Sequence, residues 1–185
     1  MGTPTPPPPV KLLIALLAAD SAQLTHAMTR IESSYGAIDV ESDVFAWNTT
    51  NYYREEMGEK LLRKFVSVTP LTSPEALAHI KLETNALEIA LADNSSFPAR
   101  RCVNLDPGYL DATKLVLAST KNQAHRLYLS QGIYAEVTLL YHHGGFHPFI
   151  YTYEDYRWPE THQFLQRVRK RYLAQLRETS SNHNR

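Results

Sequence analysis

Val10-Lys11-Leu12-Leu13-Ile14-Ala15-Leu16-Leu17-Ala18-Ala19-Asp20-Ser21 is the stretch on which the fold turns. Lys11 to Ala18 is apolar except for its first residue, and it lies between a proline cluster and an aspartate. A short apolar run with such boundaries reads as a central strand covered on both faces. Val10 to Ala19 is too short to cross a bilayer. Its length also suits a signal-peptide core, but Pro6 to Pro9 precede it, no basic residue does, and Asp20 closes it, so the buried strand is the better reading. Asp20 is placed to cap a helix, with Gln23 in the capping-box position. Leu24, Met28, Ile31 and Tyr35 then recur at helical spacing, and Gly36 stops the helix. Ile38 to Trp47 returns to alternation, which is strand patterning. A strand–helix–strand opening favours a layered α/β domain.

Working outward, residues 1–9 are proline-rich and read as a disordered or polyproline-type leader. Residues 10–178 form a single α/β domain, and 179–185 a polar, frayed tail. The expected fold is a mixed, largely antiparallel sheet with helices packed on it. Asn48 to Lys60 reads as a long loop or short helix, and Leu61 to Val68 as a strand. Ser73-Pro74-Glu75 starts a helix with a buried stripe of Leu77, Ile80, Thr84, Leu87 and Leu91. Asp93 to Pro98 is a loop. Cys102 to Leu105 reads as a short strand entering a Pro-Gly turn at Asp106 to Tyr109. Asp111 to Lys121 reads as a helix, with strand as the alternative for Leu115 to Leu117. Two hairpin strands follow, then a third short strand from His147 to Tyr151. Pro159 opens a last helix with the stripe Phe164, Leu165, Val168, Tyr172 and Leu176.

Composition sets few limits on function. The chain has 185 residues, 43% hydrophobic and 21% charged, an ordinary globular balance. Lysine plus arginine equals aspartate plus glutamate at 19 each, so net charge gives no general attraction to nucleic acid or anionic membrane. The one cysteine, Cys102, permits no intramolecular disulfide and fits a reducing, cytoplasmic compartment. It reads as a small buried residue at a strand edge rather than a nucleophile. The sequons at Asn48 and Asn94 have no secretion signal to give them meaning.

The hairpin carries the candidate site. Arg126 to Leu129 and Ile133 to Tyr141 flank Ser130-Gln131-Gly132, which matches a three-residue loop built on a type I turn. That register sets Leu129 opposite Ile133, Leu127 opposite Ala135, Tyr128 opposite Tyr134 and Arg126 opposite Glu136. It segregates Leu127, Leu129, Ile133, Ala135, Val137 and Leu139 to a core face. Arg126, Tyr128, Tyr134, Glu136 and Thr138 fall on the other face, which is either solvated surface or the floor of a site.

These residues resemble a family. Arg101-Cys102-Val103-Asn104-Leu105-Asp106-Pro107-Gly108-Tyr109-Leu110, Lys114-Leu115-Val116-Leu117-Ala118, His125-Arg126-Leu127-Tyr128-Leu129 and Gly132-Ile133-Tyr134-Ala135-Glu136-Val137-Thr138-Leu139 are similar to the bacterial family known as domain of unknown function 4416. The likeness extends to Tyr52-Tyr53, Glu56-Met57-Gly58, Thr84-Asn85 and Asp155-Tyr156-Arg157, so it spans nearly the whole chain after the leader. The resemblance implies no established activity. Some members carry an automatic label of GTP-binding protein. A P-loop GTPase needs a glycine-rich loop ending in Gly-Lys-Ser/Thr, and here the first strand meets its helix at Ala19-Asp20-Ser21 without a glycine. Thr120-Lys121-Asn122-Gln123 has glutamine where the guanine-reading motif has aspartate. These features argue against a classical GTPase and leave nucleotide binding by another route open.

The site expectation is a small anionic ligand, a nucleotide or phosphate ester, on the hairpin's polar face. His125 and Glu136 are the candidate catalytic pair, since acid–base work needs groups poised near neutral pH. Asp106, Tyr109, Lys114, Lys121, Arg126, Tyr128, Tyr134, Thr138, Asp155 and Arg157 are the candidate binding residues, with arginine and lysine suited to phosphate or carboxylate. The bland alternative is a polar network bracing loops onto a sheet. No motif names a cofactor or settles whether the protein is an enzyme. His142, His143 and His147 surround a glycine-broken turn and read as surface histidines rather than metal ligands. Arg167, Arg169, Lys170, Arg171 and Arg177 make the last helix basic. A non-catalytic RNA- or protein-interaction module is therefore the competing reading, with nucleic acid not favoured and membrane not expected.

Overall fold

The computed structural model describes residues 2–47, 54–93 and 101–182. The sequons, Tyr52-Tyr53 and the expected loop from 94 to 98 lie outside the described residues. The opening unit is strand–helix–strand as the sequence predicts, but Gln23 Oε1 has no partner among the described residues, so the capping box is not closed, and the expected Ile38–Trp47 strand is two strands. Strand β1 (Val10–Ala18) is buried along its whole length. Helix α1 (Ser21–Tyr35) starts at Asp20, whose carboxylate accepts from the Gln23 backbone N–H at 2.8 Å, and stops at Gly36 with φ 95°. Strands β2 (Ile38–Glu41) and β3 (Phe45–Trp47) follow, then the short helix α2 (Arg54–Met57) and the long strand β4 (Leu61–Thr72). A 3₁₀ turn at Pro74–Ala76, capped by Ser73, leads into α3 (Leu77–Asp93).

The second half differs from the sequence expectation at Asp106 to Lys121. Strand β5 (Val103–Leu110) runs straight through Asp106-Pro107-Gly108-Tyr109, where a turn was expected, and β6 (Lys114–Ser119) replaces the expected helix. The turn lies at Asp111 to Thr113, where the Asp111 carboxylate accepts from the Thr113 and Lys114 backbone N–H groups. The remaining strands are β7 (Leu127–Ser130), β8 (Ile133–His142) and β9 (Gly145–Pro148), the last two residues earlier than the expected third strand. After a 3₁₀ turn at Glu154–Tyr156, helix α4 (Pro159–Asn182) continues past Thr179, where the sequence suggests a tail.

The nine strands of the described residues make one sheet in the order β2-β4-β1-β5-β6-β8-β7, with β3 also on β4 and β9 also on β8. Every described ladder is antiparallel. Helices cover both faces, which is why β1 needs no polar side. Leu12, Ile14 and Leu16 pack with Leu24, Ile31, Ile80 and Leu105 under α1 and α3. Leu13, Ala15, Phe65, Leu115 and Leu139 pack with Phe164, Val168 and Tyr172 of α4.

Hairpin β7–β8 keeps Leu127 opposite Ala135 and Tyr128 opposite Tyr134, but Ser130, not Leu129, pairs with Ile133. The loop is therefore two residues, Gln131 and Gly132, both with positive φ (52° and 77°), the geometry of a type I′ turn, with an irregularity at Leu129. Leu127 and Leu129 are not core: they are 76% and 40% exposed. A register shift at Thr138 turns Leu139 to the α4 face, while Ala135 and Val137 lie towards α3. Alternation sorts residues by face as far as Val137 and fails at Leu139, beyond the irregularity, and it does not say whether an edge strand is covered.

Candidate functional site

Strands β5 and β6 pair only at Gly108 to Leu110 with Leu115 to Leu117, and beyond that point they part. Gly108 marks the vertex. A Cβ there would meet the Val116 carbonyl at 2.5 Å and the Leu117 side chain at 2.6 Å, so only glycine lets the two backbones close. Past the vertex β5 stays paired with β1, but its β6-facing ladder bonds have no strand partner. The Leu105 N–H donates to Glu88 Oε1 at 2.6 Å, and its carbonyl accepts from Lys81 Nζ at 2.8 Å. Backbone polarity alternates along a strand, so Pro107, two residues on, faces the same open edge, and it has no N–H to leave unpaired. Asp106-Pro107-Gly108 thus looks like a turn in sequence and acts as the edge of a fork.

Lys81 reaches through this fork. It stands on α3, yet its ammonium lies 3.3 Å from Asp106 Oδ1. Asp106 pairs in register with Ala15, on the opposite, α4 side of the sheet. Asn104 Nδ2 donates to Asp106 Oδ2 at 2.6 Å. Burial alone would raise the Asp106 carboxyl. The Lys81 ammonium, the Arg63 guanidinium and the hydrogen bonds from Asn104 and Lys81 outweigh burial and hold the carboxyl below its ordinary range. Across the same strand edge Glu88 goes the other way: burial raises its carboxyl despite Arg101 and Lys81.

The opposite wall comes from the end of β6 and the hairpin. Arg126 donates from Nε to Glu136 Oε2 at 2.7 Å, from Nη1 to Ser119 Oγ at 2.8 Å and the Lys121 carbonyl at 3.0 Å, and from Nη2 to Tyr153 Oη at 2.7 Å. Both members of the Arg126–Glu136 pair are buried. Glu136 also accepts from Thr138 at 3.2 Å and lies 3.1 Å from His125 Nε2. His125 in turn stacks on Tyr151 with centroids 4.1 Å apart. Burial disfavours a charged Arg126, but the Glu136 and Tyr153 contacts more than offset that and raise its pKa.

Between the walls lies a cavity of about 520 Å³. Its floor includes Arg63, which engages the buried Asp155 carboxylate through Nε at 2.8 Å and through Nη2. Burial opposes the Arg63 charge, and Asp155 more than restores it. Trp47, 6.3 Å from Trp158, closes one side, and the Arg63 guanidinium lies 5.2 Å from the Trp47 ring centroid. The Trp47 indole N–H is buried and has no acceptor among the described residues. Five cationic side chains line the cavity (Arg63, Lys81, Arg101, Lys121, Arg126), and so do five carboxylates (Glu56, Asp106, Glu136, Glu154, Asp155).

Of the residues singled out from sequence, the structure brings Asp106, Lys121, Arg126, Glu136 and Asp155 to the cavity. Thr138 and His125 contact Glu136 from outside the lining. Tyr109 packs towards α3, Lys114 pairs with Asp111, and Tyr128 and Tyr134 form an edge-to-face pair at 5.4 Å. Arg157 clamps the preceding loop through the Thr152 and Phe149 carbonyls. Sequence reading missed Arg63, Lys81, Asn104 and Tyr153. Lys81 and Glu88 carry a readable signal, because they continue the helical stripe of Leu77 and Thr84 into the core. A charge on a buried stripe marks a polar partner inside.

Among the described residues, no group of three or more His, Cys, Asp or Glu is placed to hold a metal, and no helix is long and apolar enough to cross a membrane. The family described as Domain of unknown function (DUF4416) matches residues 8–172. No curated protein and no solved structure matches.

Proposed function

We propose that this chain, which belongs to the family described as domain of unknown function 4416, binds a small anionic ligand in the fork between β5 and β6. A nucleotide or a phosphate ester has the appropriate size, since sites for such molecules occupy roughly 300–1,000 Å³. The observation that carries the reading is the asymmetry of the two walls. The β6 side presents Ser119, Thr120, Lys121 and Tyr153 as hydrogen-bond donors; Arg126 is bonded to Glu136, and the Ser119 and Tyr153 oxygens that accept from it keep their own O–H groups to donate. Of the carboxylates beside them, Glu136 is already engaged by Arg126 and Thr138, and Glu154 is exposed to solvent. An anion placed there meets donors in a partly desolvated setting, where charge-assisted hydrogen bonds are strongest. The binding place is the fork rather than the open hairpin face. Binding, not catalysis, is the proposal, because His125 does not line the cavity.

The basic helix supports an RNA-binding reading less well. Arg167 donates to the Glu41 carbonyl, Arg169 donates to the Ala112 carbonyl and stacks over Tyr141, and Arg171 lies 3.5 Å from Asp39. These charges already serve the fold.

Thermal-shift measurements with inorganic phosphate, nucleoside monophosphates and sugar phosphates test the proposal. A bound ligand at about a hundred times its Kd raises Tm by roughly 5 °C or more in a domain of this size. Lys121→Ala is expected to shrink that shift. No shift with any phosphate-bearing compound sinks the proposal.

A further inference from the structure

We infer that Asp106 is the receptor for a pair of neighbouring hydroxyl groups, so that the ligand is a phosphorylated sugar or nucleotide with a free vicinal diol. This rests on the anion reading above and adds what the opposite wall recognises.

The geometry comes from the fork. Gly108 pairs with Leu117, so a continued ladder would set Asp106 opposite Ser119. The strands have parted there, and Asp106 and Ser119 both line the cavity between them. Ser119 is the hydroxyl that holds Arg126 at 2.8 Å. A ligand in the fork therefore touches a donor wall on one side and the Asp106 carboxylate on the other.

Two features of Asp106 select the group it binds. The first is unused capacity. An ionised carboxylate accepts about four hydrogen bonds. Asp106 receives one from Lys81 on Oδ1 and one from Asn104 on Oδ2, and its side chain is 30% exposed, in the cavity. Each oxygen thus keeps acceptor capacity, and two adjacent hydroxyls donate to the two oxygens together. The second is charge. Lys81 lies 3.3 Å away and Arg63 acts on the same carboxylate through space. A cationic ligand group at Asp106 would be repelled by both. A neutral donor pair is not. The same cations keep the carboxylate ionised, so it acts as an acceptor only. An ammonium is thereby disfavoured, and among neutral donor pairs the vicinal diol is the one that sugar phosphates and nucleotides share.

The test compares ligands before it compares variants. Calorimetric titration of the wild-type chain with AMP and GMP is set against their 2′-deoxy counterparts, and ribose 5-phosphate against 2-deoxyribose 5-phosphate. Loss of one hydroxyl is expected to weaken binding by about tenfold, the usual worth of a hydrogen bond to a charged acceptor. Asp106→Asn is expected to weaken the ribo compounds more than the deoxy compounds, which keep one hydroxyl for this site, and so to erase most of the ribo preference. Equal binding of ribo and deoxy compounds by the wild type, or a ribo preference that survives in Asp106→Asn, overturns the diol inference while the anion reading stands. No binding of any of these phosphates overturns the anion reading and the inference with it. The wild-type comparison needs no variant, so an unstable Asp106→Asn does not remove the test.

Discussion

Strands β5 and β6 behave as two different structures on either side of Gly108. On one side, Tyr109 and Leu110 meet Val116 and Leu115 in a closed ladder, with Leu110 and Leu115 fully buried under α4. On the other side, the same strands diverge, and the space holds Asp106, Asn104, Ser119 and the tip of Lys81. The closed end is held by apolar burial, which is non-directional and tolerant. The open end is held by paired charges, each of which is costly once its partner is gone. A sheet that fills one end with leucine and the other with ion pairs puts apolar packing and charge pairing at opposite ends of a single pair of strands.

The largest expected effect breaks the open end. Arg63→Met leaves the Asp155 carboxylate, 1% exposed, without its guanidinium. Such a loss costs about 3–5 kcal/mol, and chemical denaturation would read it directly. Restoration of much of that stability in the Arg63→Met, Asp155→Leu double variant would show that folding does not require the ion pair. No loss in the single variant would mean the pair is not formed.

A smaller effect is expected from the closed end. Leu115→Ala removes a fully buried side chain and costs about 2–4 kcal/mol. Phosphate-ligand affinity is expected to stay within about twofold of wild type, since distant sites act independently. A large drop in affinity would mean that the two ends are coupled through Gly108.

The smallest effect concerns the hairpin. Leu127→Ser changes a residue that is 76% exposed, and unfolding free energy is expected to move by about 0.5 kcal/mol or less. A core leucine would cost several times more, so one denaturation curve separates the edge-strand geometry from a buried face.

These regions also differ in how far the sequence discloses them. Period-two alternation puts Arg126 and Glu136 opposite each other, and the 2.7 Å contact follows from it. The same alternation places Leu127 and Leu129 with the core, because an edge strand with nothing packed over it has the same pattern as a covered one. Helix α1 is readable from its cap and its stop, since both are local. Asp106-Pro107-Gly108 is misread as a turn because proline and glycine are scored by local propensity. Here they serve a tertiary event: the proline has no donor at an edge where the ladder ends, and the glycine permits close approach of β6. Arg63 stands beside Lys64 in strand β4, and its partner Asp155 is 92 residues away, so no local pattern announces the pair. Lys81 and Glu88 were within reach, because a helical stripe that includes two charges asks what lies beneath it.

The cavity wall also has an optical consequence. The chain has two tryptophans, and Trp47 lines the cavity with Trp158 6.3 Å behind it. All indole emission from this protein therefore originates at one place. The Arg63 guanidinium over the Trp47 ring is a nearby charge to which that emission responds. Unlabelled protein thus carries its own reporter, with Trp47 in the cavity wall and Trp158 directly behind it.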